Sequence, residues 1–262
     1  MLHEDRHRAE SFGSQAERYD RARPSYPASL VADVLGPRPA GRRLLDVGCG
    51  TGIAARLFAE SGAVVLGVEA DERMAEVART RGTEVEVATF EAWEPRGRLF
   101  ERVTAAQAWH WVDPFVGPEK AAAVLEPGGS LQCFWNVGTM PGDLAELLDP
   151  VYDELAPSVH QSSVIHGASV GRDALGAFRY ETERQGIAAC DQFLEPTLDA
   201  YAWRQPYSRD EWIELLRTHS DHALLPDELR AELLARVGAA IDRLGGSFEL
   251  SYETLRLSAV RV

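Results

Sequence analysis

Apolar and polar residues alternate along this chain in blocks that predict alternating strands and helices. Short apolar or alternating runs, typical of buried strands, lie at 44–47, 64–68, 84–87, 100–106, 131–136, 200–205 and 248–261. Segments with apolar side chains at helical spacing begin near Thr51, Asp71 and Lys120, between the earlier runs. This order is typical of an α/β fold with a mostly parallel sheet.

The junction between the first strand and the first helix carries three glycines at G-x-G-x-G spacing, Gly48, Gly50 and Gly52. Glycines there let a ligand approach the backbone, and the free N–H groups of the helix start point at it. A dinucleotide-binding fingerprint would require glycine at position 53, where Ile53 stands. Glu69 ends the second strand, where a carboxylate can bind the two hydroxyls of a ribose. The two features together predict a nucleoside site.

Residues 46–52 together with Glu69 resemble the class I S-adenosylmethionine-dependent methyltransferases, in which the loop holds the methionine part and the acid binds the ribose. The resemblance implies a doubly wound, Rossmann-like, seven-stranded sheet, mostly parallel with an antiparallel last strand. It also implies an N-terminal cap, a helical insertion between strands five and six, and S-adenosylmethionine as cofactor. Thr89 replaces the family's usual adenine-contacting aspartate, which leaves Phe90 and Glu91 as the candidates. The expected cofactor-binding residues are Asp46, Gly48, Cys49, Gly50, Gly52, Glu69, Ala70, Phe90, Glu91, Gln107 and Arg23.

The segment from Ser11 to Pro27 is rich in aromatic residues, and its two X-Pro steps rule out one continuous helix. By resemblance to the family we expect this segment to fold over the cofactor. Tyr19, Arg23 and Tyr26 are then expected near the carboxylate of the cofactor or near the substrate. A plain packing arm is the alternative.

Trp109-His110-Trp111 follows the fourth strand, at the sheet edge where α/β folds bind their ligands. The Asn/Asp-Pro-Pro-aromatic motif of methyltransferases that act on the amino groups of adenine, cytosine or glutamine is absent. The Trp-His-Trp sequence instead resembles small-molecule methyltransferases of the trans-aconitate type. His110 is therefore a candidate base or substrate-orienting residue, and packing between the tryptophans is the alternative.

Residues 218–222 contain three ionisable side chains within one turn. His219 and His222 of this segment are further candidate bases. A metal site would need a third ligand near this HxxH spacing. We expect none, so no metal is predicted. A helix cap formed by Ser220 and Asp221 is the simpler interpretation.

The length of 262 residues fits one methyltransferase domain, divided into a cap (1–40), a cofactor-binding core (41–136), a substrate-cover insertion (137–198) and the remaining sheet (199–262). A net charge of −14 with a single lysine disfavours nucleic-acid partners. No apolar run approaches the length of a membrane span, and the chain start lacks a signal-peptide core. Three cysteines without metal spacing favour a cytoplasmic protein. We expect a monomer or homodimer.

The expected activity is in-line methyl transfer to an oxygen of a small molecule. A carboxylate acceptor needs arginine or histidine partners but no base, whereas a phenol or an alcohol needs a general base. Two alternatives stay open. In the first, the chain binds S-adenosylmethionine without catalysing a reaction. In the second, it methylates protein or nucleic acid.

Overall fold

The structure is a computed structural model that describes Gly13, residues 15–162 and residues 180–262. Most of the predicted cap and part of the predicted insertion lie within these ranges. The first twelve residues, Ser14 and residues 163–179 lie outside the described part.

Seven strands and eleven α-helices are described. The strands are β1 Arg43–Val47, β2 Val64–Glu69, β3 Glu84–Val87, β4 Phe100–Ala106, β5 Leu125–Thr139, β6 Thr197–Ser208 and β7 Ser247–Val260. The helices are α1 Ala16–Ala22, α2 Ala28–Leu35, α3 Ile53–Glu60, α4 Glu72–Thr80, α5 Val116–Val124, α6 Gly142–Leu155, α7 Pro157–Ser162, α8 Glu181–Ala188, α9 Arg209–Arg217, α10 Ser220–Ala223 and α11 Asp227–Arg243. A 3₁₀ turn covers Trp109–Trp111.

All seven strands form one sheet in the order β3-β2-β1-β4-β5-β7-β6. The five strands from β3 to β5 are mutually parallel, and β7 is antiparallel to both of its neighbours. The predicted fold class is therefore confirmed. The strand order reverses between β1 and β4, and a crevice at such a reversal is where open α/β sheets bind ligands.

Helices cover both faces of the sheet because successive strand residues point to opposite sides. On β1, Leu44 packs with α2 and α3, whereas Leu45 joins the larger cluster on the other face. On β5, Phe134 and Trp135 divide in the same way. All four side chains are at most 1% exposed. A third apolar cluster joins α6, α9 and α11 to the ends of β6 and β7, including the buried side chain of Trp212.

The structure differs from the predicted boundaries at two points. Helix α5 begins at Val116 rather than near Lys120, since Pro118 lies in the first turn, where a missing N–H is tolerated. Strand β5 begins at Leu125, before the predicted run at 131–136, and its pairing with β4 is irregular over the added residues. Phe100 pairs with Leu125, whereas Arg102 already pairs with Ser130.

Candidate active site

The glycine loop connects β1 to α3. Gly48, Gly50 and Gly52 have φ angles of 62°, 56° and 83°, in the left-handed region that favours glycine. A Cβ on Gly48 would lie 2.6 Å from Cβ of Ala108, so this glycine lets the segment after β4 pack against the loop. A Cβ on Gly50 would meet only the end of the Met74 side chain, at 3.5 Å. The positive φ at position 50, and not a lack of space for a side chain, is therefore the reason for glycine there.

Glu69 accepts two backbone hydrogen bonds, one from the glycine loop and one from the start of α4. Its Oε2 accepts the Gly50 N–H at 2.8 Å, and its Oε1 accepts the Asp71 N–H at 2.9 Å. Burial raises the pKa of Glu69, and the same N–H groups act in the opposite direction. A carboxylate has about four lone-pair sites, so each oxygen can still accept from a ligand hydroxyl. Ala70, which follows, is exposed.

Asp46 lies fully buried at the point where β1 enters the loop. Its Oδ1 accepts the Thr104 hydroxyl at 2.7 Å, whereas Oδ2 has no hydrogen-bond partner. Burial raises the pKa of Asp46 to about 7, despite the hydrogen bond from Thr104. A buried polar atom without a partner requires an explanation, and a ligand group is one of the common explanations.

A cavity of about 50 Å³ lies between the glycine loop, the ends of β4 and β5, and the N-terminal arm, by which we mean residues 15–27. It brings together seven of the predicted residues, Tyr19, Arg23, Tyr26, Gly48, Cys49, Gly50 and Gln107. Asn136, which lines it as well, was not predicted as a site residue. The end of the predicted fifth run at Asn136, on the same sheet edge as Gln107, is the signal that would have found it.

Arg23 is the cation at this cavity. Its Nη2 donates to the Thr218 carbonyl oxygen at 2.8 Å, and its guanidinium lies 4.8 Å from the centre of the Tyr19 ring. Its buried Nε has no hydrogen-bond partner. By contrast, Arg18 on the same arm pairs with Glu214 of α9 at 2.9 Å. An anionic ligand group in the cavity would meet an arginine whose charge is not already neutralised.

The N-terminal arm is held over the cavity by contacts with the core. Asp20 accepts from Arg56 of α3 at 2.8 Å and from Arg81 at 3.2 Å. The Ser25 carbonyl oxygen accepts from Asn136 Nδ2 at 3.0 Å. The Tyr26 ring packs edge-on against a β5 side chain, and burial raises the pKa of this tyrosine well above its usual value. The arm is thus a docked element.

Gln107 directly follows β4 and has a φ of 56°, which is unusual for a residue other than glycine. Its N–H donates to the Phe134 carbonyl oxygen at 2.9 Å, and its side-chain Nε2 to that of Asn136 at 3.3 Å. Strain of this kind, about 1–3 kcal/mol, persists where the surroundings hold the residue and is frequent at functional sites. Gln107 is therefore held in place against β5 beside the cavity.

Phe90 and Glu91 do not line this cavity. Phe90 is only 4% exposed and packs against Trp93 and Trp109 in the core. The Oε1 atom of Glu91 accepts the Asp113 N–H at 2.9 Å. Their contact with an adenine ring stays a prediction. Gly52, with a φ suited to the loop, also lies outside the lining.

His110 lies in the 3₁₀ turn after β4 and is not among the residues that line the cavity. Trp135 of β5 donates its Nε1–H to His110 Nδ1 at 3.2 Å. The imidazole centre is 5.0 Å from the Trp111 ring. Sequence reasoning did not find Trp135, because a contact between residues 25 positions apart depends on strand register.

His219 precedes α10 and lies outside the cavity lining. Buried His222 contacts Asp221 Oδ1 through Nδ1 at 2.8 Å and the Tyr152 hydroxyl through Nε2 at 2.9 Å. Although burial raises the pKa of Asp221, the hydrogen bond from His222 holds it below its usual range. The expectation of no third ligand-type residue is wrong, because atoms of His219, Asp221 and His222 lie within 4.8 Å of one another. Both ring nitrogens of His222 are nevertheless engaged by protein groups.

Comparison with known proteins agrees with this geometry. A family model described as a methyltransferase domain matches residues 19–168. An uncharacterized methyltransferase of Mycobacterium tuberculosis is 40% identical over 229 residues, covering 87% of this chain and 84% of that protein. A ubiquinone biosynthesis O-methyltransferase of Dinoroseobacter shibae is 34% identical over 114 residues, covering 40% of this chain and 46% of that protein.

A solved structure from Anaeromyxobacter dehalogenans, provisionally assigned as a type II methyltransferase, shares the fold. It has a TM-score of 0.64 and 20% identity, covering 90% of this chain and 97% of that one. Among the helices that the structure describes, none is both long and apolar enough to cross a membrane. The chain belongs to the methyltransferase domain family and is an S-adenosylmethionine-dependent methyltransferase.

Proposed function

We propose that this protein transfers the methyl group to an oxygen atom of a small molecule. The observation that carries the proposal is the cavity between the glycine loop and the N-terminal arm, with Arg23 and its buried Nε atom in the wall. A methyl donor held there would be shielded from water on the side of the arm. Small acceptors fit such a covered site better than polymers do.

The polar groups without partners suit the amino-acid part of S-adenosylmethionine, which carries one carboxylate and one ammonium group. The Nε of Arg23 suits the carboxylate, and Oδ2 of Asp46 suits the ammonium group. Glu69 suits the ribose, because its oxygens keep lone pairs after accepting from the backbone. The residues present therefore fit this cofactor.

Bound S-adenosylmethionine supplies a methyl group that its sulfonium charge already activates. The chain has to hold acceptor and donor in line, which can contribute several kcal/mol, and to exclude water. The arm is suited to excluding water because Asp20 attaches it to Arg56 of α3 and Ser25 attaches it to Asn136 of β5. Gln107 and Asn136 are suited to holding the ligands, since they line the cavity and bond to each other.

The acceptor is proposed to be a carboxylate, as in the trans-aconitate type, or a hydroxyl group. Trp109-His110-Trp111 supports this choice, because it follows β4 at the sheet edge that carries the loop and Glu69. The match to ubiquinone biosynthesis O-methyltransferases also favours oxygen over nitrogen, although it covers 40% of the chain. We further propose one domain built of the cap (1–40), core (41–136), cover (137–198) and remaining sheet (199–262).

The test is transfer of a labelled methyl group to a panel of acids, phenols and amines, with calorimetric binding of the demethylated cofactor. Arg23→Met is expected to weaken cofactor binding about tenfold or more, the effect of losing one hydrogen bond to a charged group. Arg21→Met is the matched control, because Arg21 lies on the exposed face of the same arm. Binding without transfer to any acceptor would favour the non-catalytic alternative.

A further inference from the structure

One hydrogen bond decides what His110 can do. The indole nitrogen of Trp135 lies 3.2 Å from Nδ1 of His110, and an indole N–H is a donor only. Nδ1 must therefore present its lone pair to Trp135. A neutral imidazole then carries its single proton on Nε2.

We propose that His110 contacts the methyl acceptor as a hydrogen-bond donor through Nε2–H, and that the acceptor is a carboxylate. This inference rests on the proposed function and narrows its acceptor from a carboxylate or a hydroxyl to a carboxylate. Trp135 is the positioning residue, because it selects the tautomer.

Trp135 is firmly held. It is 1% exposed, and its indole stacks on the Tyr180 ring with 4.1 Å between the centroids. Its backbone lies in the middle of β5, paired with Leu255 of β7. A second proton on Nδ1 of His110 would face the indole N–H, so the imidazolium form is disfavoured as well. Trp135, which is fixed in the sheet, therefore favours the Nε2–H tautomer of His110.

His110 is also close in the chain to the cavity. Gln107, three residues earlier, lines the cavity, and so does Asn136, the residue after Trp135. The hydrogen bond from Trp135 therefore holds His110 against the strand that also carries Asn136, and the side chains of Trp135 and Asn136 point to opposite faces of the sheet. This is the sheet edge on which an acceptor can approach the methyl group.

The tautomer excludes His110 as the base. An alcohol or phenol oxygen loses a proton as it attacks, and the base must offer a lone pair. In His110 one nitrogen is engaged by Trp135 and the other carries hydrogen. Tyr26 and Cys49 of the cavity wall are no substitutes, because desolvation raises the pKa of both groups and keeps them protonated.

A carboxylate needs no base because it is already ionised at neutral pH. One carboxylate oxygen forms the new O–CH₃ bond while the S–CH₃ bond breaks, and sulfur keeps the bonding electron pair. The products are a neutral methyl ester and the neutral thioether of the demethylated cofactor, so charge balances and no proton moves. Nε2–H of His110 is suited to holding one carboxylate oxygen during this displacement.

The first test reads the tautomer directly and needs no substrate. Nitrogen-15 spectra of the full chain, with the demethylated cofactor added, are expected to show His110 as the Nε2–H tautomer at neutral pH. Trp135→Phe keeps an aromatic ring but removes the N–H, and should abolish this preference. Trp93→Phe is the matched control, since Trp93 is an equally buried indole that donates to Glu86 on β3. An Nδ1–H tautomer or an imidazolium in the wild type would overturn the proposal.

The second test compares acceptors and variants. Carboxylic acids are expected to be methylated at least about a hundredfold faster than phenols, which lack a base here. His110→Gln keeps an N–H donor near the position of Nε2 and should stay within about tenfold of wild type. His110→Ala should raise KM about 10- to 100-fold with a smaller change in kcat.

The outcomes separate this inference from the proposed function. Efficient methylation of phenols, with His110→Gln as inactive as His110→Ala, would contradict the role of His110 as a hydrogen-bond donor. It would remain consistent with methylation of an oxygen atom. Cofactor binding without transfer to any acid in the panel would overturn the carboxylate assignment. Absence of cofactor binding would instead count against the proposed function as a whole.

Discussion

Replacing Glu69 by alanine is expected to weaken binding of the demethylated cofactor by about 1.5–3 kcal/mol, the usual contribution of a hydrogen bond to a charged group. That corresponds to a Kd about 10- to 150-fold higher. The lower end applies if one ribose hydroxyl bonds strongly to the carboxylate. The upper end applies if both do.

The structure also predicts that this substitution lowers the stability of the cofactor-free protein. Glu69 accepts the N–H groups of Gly50 and Asp71, at 2.8 and 2.9 Å, so alanine leaves both donors without this acceptor. We expect a loss of about 1–3 kcal/mol in the free energy of unfolding for this reason. Calorimetric titration well below the melting temperature separates the two effects, since only folded protein then contributes to the measured Kd.

Glu60→Ala is the matched control for this variant. Glu60 is exposed at the end of α3, and its replacement by alanine removes the same charge without changing a contact of the loop. Its Kd should equal that of the wild type. If Glu69→Ala also binds the cofactor with wild-type affinity, Glu69 does not contact the ribose and the assignment of the site from the loop and the acid is refuted.

Three further predictions concern the loop, the arm and Asp46. Gly50→Val should abolish cofactor binding in calorimetry, because a branched residue resists the φ of 56°. Deleting residues 1–27 should leave a folded core, seen by circular dichroism, that has no transferase activity; full activity would show that the arm is not a lid. Asp46 keeps its proton to about pH 7 when folded but only to about pH 4 when unfolded. Wild type should therefore lose stability relative to Asp46→Asn as pH rises through this window, by on the order of 4 kcal/mol in chemical denaturation, and parallel curves would contradict the burial of this carboxyl group.

Elements specified by nearby residues were predictable from the sequence. Strand β3 was predicted with the bounds that the structure has, Glu84–Val87. Helix α9 begins after Ser208, whose side chain and Glu211 form a capping box, a signal contained in four residues. Helix α4 likewise begins after Asp71, which accepts the Arg73 N–H. In each case the contact that fixes the element lies within one turn of chain, so the sequence pattern contains it.

Side chains that meet across the sheet were not predictable. Phe90 packs in the core and its contact with the cofactor stays a prediction, whereas Asn136 lines the cavity and was not predicted. Which side chain reaches the cavity depends on where each strand ends relative to its neighbours, and sequence periodicity does not contain that register. Asp221 is a different case, because it lies between His219 and His222 in the sequence and was interpreted there as a helix cap, not as a ligand-type residue.

The arm and the acceptor side of the cavity are physically linked through Asn136. Its Nδ2 holds the Ser25 carbonyl oxygen of the arm, and its Oδ1 accepts the Thr254 hydroxyl of β7 at 2.6 Å. Trp203 of β6 donates to that same hydroxyl oxygen at 2.8 Å. The position of the arm is therefore set by the antiparallel end of the sheet and not only by the cofactor loop. Trp135, the neighbour of Asn136 in β5, orients His110. Adjacent residues of β5 therefore contact the N-terminal arm and the histidine that we propose holds the acceptor. We therefore expect that a change in the C-terminal strands can alter acceptor choice without affecting Gly48, Gly50 and Glu69, the residues proposed to hold the cofactor.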